Sequence, residues 1–144
     1  RVILPLWPTA RLLARAEAGV TLREDFDQLP FSVRFFAGGD DSVRGYDYKT
    51  LGPTDASGQV VGGAGKFAGS VEIDQRVLAN WSVAAFVDTG NAFDDWGSVS
   101  LKTGVGGGVR WYSPLGPIRF DVAVPLDRDA PDSFRVHITL GPDL

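Results

Sequence analysis

Over most of the chain, apolar and polar side chains alternate with a period of two, the pattern of β-strands that keep one greasy face and one polar face. Leu12 to Leu22 sets Leu12, Ala14, Ala16, Ala18, Val20 and Leu22 against Leu13, Arg15, Glu17, Gly19 and Thr21. Phe67 to Val77 sets Phe67, Val71, Ile73 and Val77 against Ser70, Glu72, Asp74 and Arg76, with Gln75 as the one polar intruder on the apolar side. The same pattern predicts strands over Trp81 to Asp88, Leu101 to Tyr112, Ile118 to Val124 and Phe134 to Leu140. The second face of Leu101 to Tyr112 holds only glycines and polar or charged residues. Six strands are thus expected, with Glu72, Asp74, Asp88, Arg110, Asp121 and Arg135 sharing one surface and Val71, Ile73, Val83, Ala85, Val105, Val109, Val122, Val136 and Ile138 the other.

The connections alternate as well. Leu78 to Asn80 and Ser113 to Pro117 are short, whereas Arg23 to Lys66, Thr89 to Ser100 and Pro125 to Ser133 are long. In an antiparallel meander every second connection lies on one rim, so short turns gather at one end and long loops at the other, as in outer-membrane barrels. A soluble β-sandwich shares the alternation and the Gly- and Pro-rich turns. Two features favour a barrel: opposite charges recur on the polar faces, as in a wet lumen, and Trp7, Trp81, Trp96, Trp111 and Tyr112 sit near strand ends, where an aromatic girdle belongs.

Composition narrows this little. Eighteen glycines and nine prolines leave small room for long helices. No run of eighteen apolar residues offers a membrane helix, but a strand crosses a bilayer in roughly 9–11 residues with only alternate positions apolar, so a mean hydropathy of -0.01 does not exclude the membrane. A net charge of -4 argues against nucleic acid. The absence of cysteine decides nothing about compartment.

One segment fits neither strand nor ordinary linker. Arg34-Phe-Phe-Ala-Gly-Gly-Asp-Asp-Ser-Val-Arg-Gly-Tyr-Asp-Tyr48 combines Gly38, Gly39 and Gly45, which tolerate positive φ, with a single cation, Arg44, between Val43 and the pair Gly45-Tyr46. It resembles the sixth-loop motif of the outer-membrane-protein assembly superfamily of BamA, TamA and the two-partner-secretion transporters. Two further segments resemble that superfamily in the same order: Ala85-Phe-Val-Asp-Thr-Gly-Asn91 its F-x-D-x-G segment, and Trp111-Tyr-Ser-Pro-Leu-Gly-Pro117 its W-x-S-P-[LI]-G-P hairpin. The wording Phe35-Phe-Ala-Gly-Gly39 and the ending Thr139-Leu-Gly-Pro-Asp-Leu144 are similar to TamA, although the terminal aromatic usual in bacterial outer-membrane strands is lacking.

The resemblance implies an all-β chain, the last six or so strands of a sixteen-stranded antiparallel up-and-down β-barrel in the outer membrane of a Gram-negative bacterium. Residues 1–144 would be the C-terminal part of the barrel domain, with 25–66 holding a long loop folded into the lumen. On this resemblance ten more strands and periplasmic POTRA domains would lie before Arg1, and Arg1-Val-Ile-Leu-Pro5, which lacks the ordered regions of a signal peptide, reads as the start of a fragment. The implied activity is a TamA-like insertion and folding of β-barrel proteins, autotransporters among them, with a periplasm-spanning, TamB-like partner and outer-membrane lipid around it. A two-partner-secretion transporter, a BamA orthologue and a barrel fused to a patatin-like domain remain open within the superfamily, and a soluble β-sandwich binding module outside it.

The resemblance also implies that Arg44 reaches acids on the inner wall, for which Glu72 and Asp88 are the matching positions; alternation by itself places both on the polar face. A guanidinium presents five donors in a rigid fork and can bridge two carboxylates where Lys acts as a point charge. The final strand, with Phe134, Val136, Ile138 and Leu140 on its apolar face, is short and would lie at the barrel seam. Other constellations point to no chemistry. Asp40-Asp41 and Asp47 lack the oxygen spacing of a Ca²⁺ loop, and Gly104-Val-Gly-Gly-Gly108 is not followed by the Lys-Ser/Thr of a phosphate cradle. His137 has no nucleophile constellation around it, and Arg119, Asp121 and Arg135 read as a lumenal charge network. No metal, cofactor or enzymatic activity is expected.

Overall fold

The computed structural model describes residues 1–22, 30–95, 97, 99–127 and 134–141. It holds one antiparallel sheet of seven strands in sequence order: β1 Val2–Trp7, β2 Ala10–Val20, β3 Gly65–Leu78, β4 Trp81–Phe93, β5 Lys102–Ser113, β6 Gly116–Pro125 and β7 Arg135–Leu140. Each strand pairs with its sequence neighbours, so the chain is an up-and-down meander. No described helix is long and apolar enough to cross a membrane.

The alternation survives into the sheet because the register keeps like faces together. Glu72 stands opposite Phe86, Ser70 opposite Asp88, Arg110 opposite Arg119 and Asp121 opposite His137, all on one surface. Val71 stands opposite Val87, Ile73 opposite Ala85, Val83 opposite Val109, and Val122 opposite Val136 on the other. A shift of one residue in any pair would turn these sets inside out. Glu72, Asp74, Asp88, Arg110 and Asp121 are buried, and Val71, Ile73, Val83, Val109, Val122, Val136 and Ile138 are exposed. Charges inside and aliphatic groups outside invert the arrangement of a water-soluble sandwich, whose buried faces are apolar.

Two expectations about the strands are corrected. Val2–Trp7 is a strand that alternation misses, since Val-Ile-Leu-Pro-Leu-Trp is apolar throughout; it pairs with β2 through Val2 opposite Ala14 to Trp7 opposite Ala10, with an irregularity beyond Pro5, which carries no ladder donor. β4 does not end at Asp88. It runs on to Phe93, because Gly90, Asn91 and Ala92 pair with Ala68, Phe67 and Lys66 of the long β3, overriding the turn preference of Gly-Asn.

The turns at Pro8–Thr9, Ala79–Asn80 and Pro114–Leu115 share one rim, and the connections after β2, β4 and β6 share the other. At the short-turn rim Trp7, Trp81 and Trp111 face outward; Trp81 and Trp111 stack with centroids 6.0 Å apart, and the Trp7 indole N–H donates to Gln75 Oε1 at 2.9 Å, which accounts for the polar intruder on that face. Tyr112 does not join them. Its hydroxyl points inward, donating to Asp74 at 3.1 Å and accepting from Arg11 at 2.8 Å. Trp96 lies outside the described residues.

Candidate functional site: a loop tip held on the inner wall

The connection from β2 to β3 turns back over the charged face. A short 3-10 turn at Phe31–Val33 is followed by isolated antiparallel bridges Phe35–Gly63, Ala37–Leu51 and Thr54–Val60, which make the loop a narrow double-stranded tongue. Its tip closes on itself through Gly39 N–H to the Val43 carbonyl at 3.2 Å and Gly38 N–H to Ser42 Oγ at 2.7 Å. Ala37, Val43, Tyr46 and Leu51 are packed together as the only apolar cluster among the described buried residues. Gly45 has φ 98°, and a Cβ there would press on the Pro125 nitrogen at 3.1 Å, so backbone conformation and room both require glycine.

This geometry delivers Arg44 to the wall. Its Nε donates to Asp88 Oδ2 at 2.7 Å and its Nη2 to Asp88 Oδ1 at 3.0 Å, a fork on one carboxylate. Nη1 reaches Glu72 Oε2 at 2.9 Å and Asp121 Oδ2 at 3.0 Å, and the Arg44 backbone N–H adds a bond to Asp88 at 3.1 Å. The guanidinium carbon lies 3.3 Å from the centre of the Phe86 ring, a cation over an aromatic face. Ser70 Oγ donates to Asp88 Oδ1 at 2.6 Å.

Two wall arginines complete the set. Arg110 donates to Glu72 Oε1 at 3.0 Å and to Asp121, and Arg119 donates to Glu72 Oε2 at 3.0 Å. Three guanidiniums thus face three carboxylates, every one of the carboxylates buried. Such a cluster is tolerable in a dry place only when charges balance and lone pairs are filled. Burial opposes the charge on Arg44, but hydrogen bonding to Asp88 and the charges of Asp88 and Glu72 outweigh it and hold the guanidinium above its ordinary value. Chemically the arrangement can act as a fastener between loop and wall.

Inward glycines of β5 make the space. A Cβ on Gly104 would run into the Arg44 carbonyl oxygen, one on Gly106 into the Phe86 ring at 2.5 Å, and one on Gly108 into Asp121. Beyond Arg44, the Tyr46 hydroxyl bonds Asp127 and approaches the Thr103 carbonyl at 3.3 Å, while the Gly45 N–H donates to His137 Nε2 at 3.1 Å. Burial, reinforced by Asp127, raises the Tyr46 phenol above its usual range. Asp40 pairs with His137 Nδ1 and Asp47 with Arg135.

The structure therefore places Arg44 against both anticipated acids, Glu72 and Asp88, and brings in Asp121, Ser70, Phe86, Arg110 and Arg119 around them. Asp121 and the two arginines are legible in advance as polar-face residues, but Phe86 is hidden because it stands on that face as an apolar residue. His137 has a partner in the loop tip that no local pattern discloses. Phe134, Val136, Ile138 and Leu140 lie apart from this cluster, exposed on the outer face of the sheet edge.

A meander with a charged, loop-filled interior, an aliphatic exterior and tryptophans at one rim is a segment of an outer-membrane β-barrel with an inward-folded loop. A family model described as the Omp85 superfamily domain matches residues 4–143, and the chain belongs to that superfamily. It is 33% identical over 130 residues to the outer membrane protein assembly factor BamA of Nitratidesulfovibrio vulgaris, covering 85% of this chain and 16% of that protein. It is 31% identical over an alignment of 175 positions to BamA of Neisseria meningitidis serogroup B, covering 95% of this chain and 22% of that protein. The chain thus spans a fifth or so of these relatives, 16% and 22%. Among solved structures it is similar in fold to BamA from Haemophilus ducreyi lacking POTRA domains 1–3, with a TM-score of 0.74 and 20% identity over 94% of this chain and 32% of that one.

Proposed function

We propose that the protein to which this chain belongs inserts and folds β-barrel proteins in the outer membrane, with β7 contributing one side of the seam at which client strands enter. The observation that carries this reading is β7 itself. It has six residues and, among the described strands, pairs with β6 alone, so its other edge is the one that a strand from outside this chain would meet, whether the barrel's first strand or a client's. At ~3.3 Å per residue six residues rise only about 20 Å, less than the ~30 Å hydrocarbon core. Short pairing at a barrel's closing seam is weakly held. The knot around Arg44 serves this activity by keeping the loop inside the lumen and the neighbouring wall rigid, and catalysis plays no part.

Membership of the superfamily and the two BamA relatives support barrel assembly in general. The wording Phe35-Phe-Ala-Gly-Gly39 favours the finer, TamA-like reading, in which autotransporters are among the clients and a periplasm-spanning, TamB-like protein is the partner. The test is a disulfide lock in the full-length protein reconstituted in lipid. A cysteine in Phe134 to Leu140 joined to the first strand of the complete barrel is expected to block client insertion, and a lock between β4 and β5 at the Val83–Val109 pair is expected to leave it unchanged. Equal activity of both locked proteins would reject the seam. Offering an autotransporter and a porin as clients separates the two branches, since the TamA-like reading requires preference for the autotransporter.

A further inference from the structure

Besides the Tyr46 hydroxyl on Asp127 and the Thr103 carbonyl, the loop tip makes two sets of attachment to the wall strands, and they differ in burial. Arg44 binds Glu72, Asp88 and Asp121 on β3, β4 and β6, with its own side chain 6% exposed and the three carboxylates no more than 5%. The second set goes only to β7. Gly45 N–H donates to His137 Nε2, Asp40 bonds His137 Nδ1, and Asp47 pairs with Arg135. Here His137 is buried, but the Asp40 and Asp47 side chains are 41% and 52% exposed.

That difference decides which attachment yields. A buried guanidinium shared by three carboxylates cannot lose one partner without leaving a charge stranded in a dry place. Exposed carboxylates, in contrast, exchange their partner for water and are screened by salt. We propose that Asp40, Gly45 and Asp47 form a releasable clasp on β7, separate from the permanent knot at Arg44, so that β7 can be freed while the loop stays docked. His137 is the positioning residue of the clasp. The Gly45 N–H requires an acceptor at Nε2, so the ring carries its proton on Nδ1 and donates from there to Asp40. Among the described strands β7 is laddered to β6 alone, from Ile118 opposite Leu140 to Ala123 opposite Arg135. The clasp rests on the proposed function only for its purpose, as a control on the seam strand; its existence is independent of it.

Hydrogen exchange of the full-length protein in lipid tests the clasp. In an Asp40→Ala/Asp47→Ala variant, amides of residues 135–140 should exchange roughly tenfold faster, while 38–47 and 70–88 keep their wild-type rates. Added salt should speed exchange of 135–140 in the wild type and have little effect in the variant. His137→Gln, which restores an acceptor near Nε2, should protect β7 better than His137→Ala. Unchanged exchange of 135–140 in the double variant overturns the clasp, as does loosening that spreads to the Arg44 contacts; no difference between the Gln and Ala variants removes His137 from it. Normal client insertion with a freed β7 would count against the seam and leave the clasp standing, whereas lost insertion with an unaltered β7 would do the reverse.

Discussion

Replacing Arg44 by Lys keeps the charge and removes the fork, and the wall geometry determines what that costs. Arg44 makes side-chain bonds to Asp88, Glu72 and Asp121 between 2.7 and 3.0 Å and one to Ser70 at 3.3 Å, from three nitrogens spread over a plane. An ammonium is a single point. It can take Asp88 or the Glu72–Asp121 side well, not both, and it cannot lie flat on Phe86 as the guanidinium does. At about 1.5–3 kcal/mol for each charge-assisted bond, partly recovered by the bonds Lys does make, the loss is about 2–4 kcal/mol. Arg44→Ala strands three buried carboxylates with two arginines and should cost about 3–5 kcal/mol. Since every 1.4 kcal/mol is a factor of ten, the Lys variant should raise the opening equilibrium of the loop tip by roughly 30- to 700-fold. Hydrogen exchange of residues 38–47 in the full-length protein in lipid measures it directly. Protection in the Lys variant within about threefold of wild type would refute the reasoning, because a point charge would then suffice. A double-mutant cycle with Asp88→Asn should return a coupling of about 1–3 kcal/mol, as expected for residues in one network.

Other outcomes follow from the same geometry. Gly104→Ala places a methyl against the Arg44 carbonyl and should expel the loop tip at about 1–3 kcal/mol, read as new protease cleavage within 38–47; Gly107→Ala, on the outer face with only the Ala84 carbonyl near at 3.1 Å, should not. Burial raises the Asp127 carboxyl, but the Tyr46 hydroxyl, the Thr103 N–H and Lys102 together hold it below its ordinary value. Its folded value being the lower one, the link to Tyr46 is fully present above the unfolded value of about 3.9 and is lost only as pH falls through the depressed one, so Tyr46 contacts followed by NMR should be unchanged down to about pH 5 and fail only below about 4. Asp127→Asn should abolish that acid step. Nitroxide-labelled lipids should quench Trp81 and Trp111 more strongly from the headgroup than from the middle of the acyl chain; the reverse order would remove them from the interfacial girdle.

Strand faces are legible in this sequence because each residue's orientation follows from its neighbours two positions away, and a membrane barrel presents that contrast inverted but equally regular. β1 escapes since its own run contains no contrast, and only the facing β2 reveals it. The end of β4 is misjudged because Gly90 and Asn91 carry a local turn preference that a fourteen-residue partner strand overrules. Arg44, Glu72 and Asp88 are found by likeness to known motifs. Phe86, Asp40 and His137 are not, since contacts across 97 positions such as Asp40–His137 leave no trace in any periodicity.

The knot at Arg44 draws its members from the loop and from four strands, β3 to β6, and that makes it an indicator of assembly order. Glu72 and Asp88 lie 28 and 44 residues along the chain from Arg44, but Asp121 lies 77 residues away, on β6. Until β6 has been laid down, two carboxylates face Arg44 without the third, and Arg119 is missing as well. Long closures come last in time because their entropy is spent before any contact is gained. A docked loop is therefore evidence that β3 to β6 are already paired beneath it.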